Sequence, residues 1–158
     1  MEKLLELLKK DARYSNEELA VMLGTTADDV NTKIKNYEKS GVIKGYSVIL
    51  NEELIDDDKV SAIIELKVSP EKDTGFDEIA RKIMQYDEVE NLTLLSGAYD
   101  FSLTLTGVSV KQIGLFVSQK LSTIKGIRST ATYFTLKRYK QNNICILENE
   151  QDERGFSF

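Results

Sequence analysis

Residues 15–45, SNEELAVMLGTTADDVNTKIKNYEKSGVIKG, decide how the rest of the chain is read. The spacing predicts two short helices joined at a tight corner. Ser15 and Glu18 stand at the capping-box spacing, in which a hydroxyl and a carboxylate each satisfy an orphan backbone amide. Leu19, Ala20 and Leu23 give the first helix an apolar stripe. Gly24 supplies the left-handed stop that a Cβ would penalise. Thr26 is placed to cap a second helix, with Asp28 and Asp29 near its positive end. Val30, Ile34 and Tyr37 recur at helical spacing, so one face of that helix is buried. Gly41 ends it, and residues 42–51, VIKGYSVILN, read as a strand leading out. Helix, tight turn, helix is the layout that sets a second helix into a major groove.

Before that stretch, residues 1–13 look helical, with Leu4, Leu5 and Leu8 on one side, and complete a three-helix unit. After it, Asn51 to Lys59 is acidic and polar around Asp56-Asp57-Asp58, which reads as a solvated linker loop. The pattern then changes. Val60, Ala62, Ile64, Leu66 and Val68 alternate with polar neighbours as in a strand that ends before Pro70. Phe76, Ile79, Ala80, Ile83 and Met84 mark an amphipathic helix. Val89 to Ser96 reads as a strand, Gly97-Ala98 as a hairpin turn, and Tyr99 to Thr106 as the returning strand. Val110, Ile113, Val117, Leu121 and Ile124 predict a longer helix broken by Gly126, and Ile127 to Tyr139 a final long strand. Ile144, Ile146 and Leu147 add a candidate edge strand.

The fold class expected is therefore α+β. A helix-turn-helix domain over 1–46 leads through a strand and loop over 47–59 to a βαββαβ, ferredoxin-like domain over 60–147. An acidic tail over 148–158 follows, in which Phe156 and Phe158 offer apolar docking groups. Two helices cover only one face of such a sheet. The other face is expected to carry Tyr, Phe, Leu and Thr side chains, a surface that marks an interface. Sheet-to-sheet pairing in a two-fold homodimer would cover it and would also pair two reading helices.

Composition narrows the chemistry. The 158 residues contain no histidine, which removes the commonest general base and metal ligand. No phosphate-binding glycine loop and no thiol cluster is present, so no catalytic residue, metal or cofactor is expected. The single Cys145, between Ile144 and Ile146, reads as a buried or edge-strand thiol. No apolar run approaches the roughly 20 residues of a membrane span, and the N-terminus lacks a signal-peptide layout, so a cytoplasmic location is expected. The net charge is −5. Residues 1–46 hold 8 Lys+Arg and 8 Asp+Glu, a net of 0, while the remainder holds 13 and 18, a net of −5. The acidic excess lies outside the helical unit, yet that unit is only neutral, so its attraction for phosphate is modest and salt-sensitive.

On the second helix of the pair, the side opposite Val30, Ile34 and Tyr37 is centred on Asp28, Thr32, Lys35 and Lys39. Thr25, Thr26, Asn31, Thr32 and Lys35 are the candidates for base edges or phosphates, because Asn pairs with adenine, Thr meets a thymine methyl and Lys reaches guanine or phosphate. Lys33, Lys39 and Lys44 are candidates for backbone contact. The plain alternative is a solvated helix face with scattered lysines.

The chain resembles the Lrp/AsnC family of leucine-responsive and asparagine-responsive transcription regulators. The resemblance is carried by Leu4-Leu5, Asp11-Ala12-Arg13, Ser15, Glu18-Leu19-Ala20, Leu23-Gly24, Glu38, Gly41-Val42-Ile43, Gly45-Tyr46 and Asn51 in the first half. In the second half it is carried by Val89, Leu95-Ser96-Gly97, Tyr99-Asp100, Gly126-Ile127, Thr130-x-Thr132-Tyr133 and Lys140-Gln141. It implies a winged helix-turn-helix that binds double-stranded DNA and a RAM/ACT-like module that binds a small effector, commonly an amino acid. It also implies dimers that associate further, often to octamers, with the effector between dimers.

The effector region so implied includes Ser96, Gly97, Ala98, Tyr99 and Asp100, facing Thr130 and Thr132. The Gly97-Ala98 amides suit a carboxylate, Asp100 an α-ammonium, and the threonine hydroxyls the remaining polar shell. A plain hairpin, with Asp100 capping its turn and threonines chosen for strand propensity, is the alternative. Three departures stand out. Lys33, Lys35 and Asn36 lie where family reading helices usually carry arginines. Asp28 and Asp29 lie where many members carry uncharged residues; both steady the helix start yet oppose nearby phosphates. Ala98 lies where an acid is frequent. A module that senses an amino acid with weak or lost DNA binding is the alternative function.

Overall fold

The computed structural model describes residues 2–55, 59–69, 75–107 and 109–146. The acidic run Asp56–Asp58, Pro70, Leu147 and the tail over 148–158 lie outside them. The chain forms two compact units that part between Ile49 and Leu50.

The first unit is three helices: α1 (Lys3–Lys10), α2 (Asn16–Leu23) and α3 (Ala27–Ser40). The capping box at Ser15 is complete, with the Glu18 amide donating to Ser15 Oγ at 3.1 Å and the Ser15 amide to Glu18 Oε2 at 2.8 Å. Gly24 (φ 66°, ψ 41°) ends α2 and Gly41 (φ 75°) ends α3, both in the left-handed region that a side chain strains. Leu4, Leu19, Ala20 and Val30 form the buried centre, ringed by Leu7, Leu8, Tyr14, Leu23, Ala27, Ile34 and Tyr37. Leu7 takes the inward place expected of Leu5, because with Leu4 and Leu8 it completes one helical stripe.

The strand expected over 42–51 does not form. Ile43 donates its amide to the Tyr37 carbonyl at 3.1 Å, and Val42, Tyr46, Val48 and Leu50 stay exposed. An extended segment becomes a strand only when a neighbour completes its backbone hydrogen bonds, and among the described residues no strand pairs with this one.

The second unit carries β1 (Val60–Val68), α4 (Gly75–Ile83), β2 (Val89–Leu94), β3 (Phe101–Gly107), α5 (Val110–Gln119) and β4 (Ile127–Phe134). The sheet is antiparallel in the order β2-β3-β1-β4, the ferredoxin-like arrangement. Ala62, Ile64 and Leu66 of β1 and Phe101, Leu103 and Leu105 of β3 pack with Ile79 and Ile83 of α4 and with Ile113 and Phe116 of α5. Gly126 (φ 100°) turns the chain into β4 where an added Cβ would lie 2.9 Å from Ile79 Cδ1.

Several expectations change in detail. The second helix of this unit stops at Gln119 and continues as a 3₁₀ turn over Leu121–Thr123, which places Leu121 in the core. Met84 falls past the end of α4 and is exposed. The Gly97-Ala98 turn is a longer loop, closed by the Leu95 amide on the Asp100 carbonyl at 2.7 Å. The final strand ends at Phe134. Residues 140–145 instead form a separate hairpin of β5 (Lys140–Gln141) and β6 (Ile144–Cys145), so Ile144 does not extend the main sheet, while Cys145 is an exposed thiol on an edge strand, the second of its two expected places.

The uncovered sheet face is also more polar than expected. Register places Ser61, Ile63, Glu65 and Lys67 of β1 beside Ser102, Thr104 and Thr106 of β3 and beside Ser129, Ala131 and Tyr133 of β4. The aliphatic residues of the sheet are spent on the helix side, leaving Ile63 and Tyr133 as the large apolar groups of the open one.

Candidate functional site

The outward face of α3 is set by the burial of Val30. Residues on the far side of a helix from its buried stripe are directed to solvent. Asp28, Thr32, Lys35 and Lys39 are all exposed there. Asn31 is half-buried. Thr25 and Thr26 are exposed, but both hydroxyls donate to Asp29 Oδ2, at 3.0 and 2.8 Å, while the Asp29 amide donates to Thr26 Oγ1 at 3.2 Å. Those bonds, Thr26 first, hold the Asp29 carboxyl below its ordinary value. Each threonine has one hydroxyl hydrogen, and each is already given to an anion. Lys33 pairs with Glu2 at 3.3 Å, and Tyr37 also donates to Glu2, which holds that carboxyl down, chiefly through the Tyr37 bond. Of the seven positions singled out on this face, Asn31, Thr32, Lys35 and Lys39 keep polar groups that no other described side chain engages, with Asn31 half-buried and the other three exposed.

In the second unit, Ser96, Gly97 and Ala98 are exposed on the β2–β3 loop, and Tyr99 and Asp100 are half-buried at its end. Asp100 continues the pairing of β3 with β1. Its amide donates to the Leu66 carbonyl at 2.9 Å, its Oδ2 accepts from the Val68 amide at 2.8 Å, and its Oδ1 meets Lys67 Nζ at 3.4 Å. The Val68 amide and then Lys67 hold its carboxyl below the ordinary aspartate value. Thr130 and Thr132 pair with Leu66 and Ile64 on β4, on the helix side of the sheet, and are half-buried. The residue beside Lys67 on the open side is Ser129. Glu65, on the same open face, raises the Tyr133 hydroxyl, with Tyr99 contributing weakly.

Comparison with known proteins settles the family. Residues 2–44 match the family described as winged helix-turn-helix DNA-binding, and residues 61–144 match the Lrp/AsnC ligand binding domain. This chain belongs to the Lrp/AsnC family. It is 38% identical over 152 residues to the HTH-type transcriptional regulator YugG of Bacillus subtilis, across 96% of this chain and 92% of that one. It is 28% identical over 146 residues to the leucine-responsive regulatory protein of Haemophilus influenzae, across 92% and 87%.

In fold it is similar to the regulator NMB0573 of Neisseria meningitidis, solved as a complex with L-Met, with a TM-score of 0.70 at 22% identity over 89% of this chain and 93% of that one. Escherichia coli AsnC gives a TM-score of 0.66 at 24% identity over 87% and 91%. The Lrp/AsnC chain thus joins a DNA-binding helix-turn-helix to a ligand-binding domain, and its family is one of transcriptional regulators, not of enzymes. No described helix is long and apolar enough to cross a membrane.

Glu2 and Asp29, which tie down Lys33 and the two threonines of this Lrp/AsnC chain, were not among the candidates. Asp29 was legible as a helix-start acid, because its spacing from Thr26 is a cap spacing. Glu2 reaches Lys33 across 31 positions of sequence, and no local pattern signals such a pair.

Proposed function

We propose that this regulator reads double-stranded DNA with the outward stripe of α3 and that an amino acid bound in the second unit adjusts that reading. Asp28, Thr32 and Lys35 face base edges, and Lys39 and Lys44 face phosphates; Lys33 reaches phosphate only by leaving Glu2. Thr25 and Thr26 shape the start of the helix more than they bind. The observation that carries the reading is a buried Val30 beneath an exposed Asp28–Thr32–Lys35–Lys39 face in a chain whose first unit matches a DNA-binding family.

For the effector, the exposed Ser96–Gly97–Ala98 backbone is the seat of a carboxylate, with Tyr99 and Asp100 at its edge. The L-Met complex of NMB0573 supports an amino acid as the ligand class. A homodimer seated on the open sheet face pairs the reading helices. Thr130 and Thr132, on the helix side of β4, complete the shell only where assembly of dimers to an octamer sets another copy against that side. Work on DNA places the protein in the cytoplasm.

Binding of the full chain to its own upstream DNA is measured by fluorescence anisotropy at about 50 and about 200 mM salt, with and without each amino acid. Saturable binding that weakens with salt and shifts with one amino acid is expected. No binding at the lower salt would favour a sensing module without DNA affinity, and binding that no amino acid shifts would remove the effector reading.

A further inference from the structure

We infer that Asp28 is a specificity-determining residue that selects an amino-bearing base, cytosine, in the DNA site; the inference rests on the DNA reading proposed above. Two acids begin α3, and the structure separates them. Asp29 is occupied by the hydroxyls of Thr25 and Thr26 and by its own amide's bond to the cap. Asp28, one position earlier and equally exposed, engages no described side chain. It heads the same stripe as Thr32 and Lys35, and the N-terminal residues of a reading helix are those that meet base edges.

A carboxylate in that place accepts hydrogen bonds and donates none. Phosphates repel it, and so do the O6 and N7 acceptors of guanine and the O4 of thymine. Adenine offers an amino group with the N7 acceptor beside it. Cytosine offers its N4 amino group with only a C–H beside it, and is the base edge that satisfies a lone carboxylate. A buried anion left without such a partner weakens the complex, so the residue acts as much by rejecting other bases as by holding cytosine. Thr32 stands four residues on, about 6 Å along the helix, so the two side chains reach different base pairs.

The competing role for Asp28 is structural: an acid in the first turn steadies the helix dipole. That role predicts a slightly lower melting temperature for any neutral substitute and no change in sequence preference.

The test selects binding sites from a randomised duplex library with the full-length protein, D28N and D28A. The wild-type protein is expected to select cytosine at one position. D28N is expected to turn that preference to adenine, since an amide pairs with adenine. D28A is expected to leave the position unselected, with discrimination falling about tenfold. Identical preferences in all three proteins, whether or not the variants melt earlier, would overturn the role of Asp28 while the DNA reading stands. A wild-type protein that retains no duplex at low salt would overturn both.

Discussion

The helical unit and the sheet unit hide very unequal amounts of apolar side chain. Among the described residues, four, Leu4, Leu19, Ala20 and Val30, are buried in the first, and twelve in the second. A small domain cannot bury enough surface to be generously stable. The first unit compensates with helix ends: a complete capping box at Ser15, a capped start at Thr26, and left-handed glycines at 24 and 41. The second has α5 capped by Ser109 but relies on its core. The unit that offers its face to DNA is thus held by local chemistry at its corners, and the ligand-binding unit by packing.

The largest expected effect separates these two modes. Leu19→Ala removes a side chain with no exposure from the smaller core. Such a cavity costs about 2–5 kcal/mol. A unit of this length has on the order of 2–7 kcal/mol in total. The helical unit of this variant should therefore be largely unfolded near room temperature and should bind no DNA, while amides of β1 and β3 keep their protection from hydrogen exchange. Loss of protection in both units together would show that they fold as one and would break the contrast.

Gly126→Ala attacks the other unit. The residue sits at φ 100°, and its new Cβ would meet Ile79 Cδ1 at 2.9 Å and the Ser69 carbonyl oxygen at 3.2 Å. Backbone strain of this kind costs about 1–3 kcal/mol before the clash is added. The expected result is a lower melting temperature for the sheet unit with DNA affinity of the helical unit unchanged. Gly97→Ala is the control, since a Cβ there meets nothing within 4 Å. Equal melting temperatures for the two variants would mean that α4 yields at Ile79 and that the sheet core is looser than its burial implies.

The same division explains what was legible in the sequence. Caps and glycine stops are local, so α2 and α3 could be placed from Ser15, Gly24, Thr26 and Gly41, while α1, which has no side-chain cap, was legible only from its leucine spacing. Alternation is local too, so Val60–Val68 and Phe101–Gly107 could be placed as strands. What failed depended on partners. Residues 42–51 alternate like a strand but pair with no described strand, and the run to Tyr139 outlasts the neighbour that made Ile127–Phe134 a strand. Asn142 and Asn143, both at positive φ (47° and 69°), turn the small β5–β6 hairpin. That pair was a readable signal, because two adjacent residues in that region make the tight primed turn. Which candidate side chains were already engaged was not readable, since Glu2 on Lys33 and Asp100 on Val68 are tertiary contacts.

Ser15→Ala sharpens the comparison at smaller scale. It removes the acceptor for the Glu18 amide and dissolves the capping box. Loss of a cap of this kind costs about 1 kcal/mol. The helical unit's melting temperature should fall measurably and that of the sheet unit should not. The matching change at the α5 cap, Ser109→Ala, should move the larger unit less, because Ile113 and Phe116 anchor that helix in the core. Equal shifts would mean that caps matter as much in the packed unit as in the small one.

The smallest effect is a pH dependence read at the end of β1. The Val68 amide, and secondarily Lys67, hold the Asp100 carboxyl below its ordinary value in the folded state. A carboxyl whose folded value is depressed contributes stability that is fully present above its unfolded value and is lost as pH falls through the folded one. Acid should therefore loosen the Val68–Asp100 contact, and Asp100→Asn should be insensitive over that window. The side chain of Lys67 is 46% exposed, so solvent screens its part and the Val68 bond carries the effect. Asp29 and Glu2 in the helical unit are depressed too, chiefly by the hydroxyls of Thr26 and Tyr37, so global melting in acid would mix both units. The discriminating measurement is the carboxyl titration of Asp100 by NMR beside the chemical shift of the Val68 amide. Both should move together below the ordinary aspartate range. A Val68 amide that ignores the titration would mean that Asp100 is free to meet a ligand's ammonium instead.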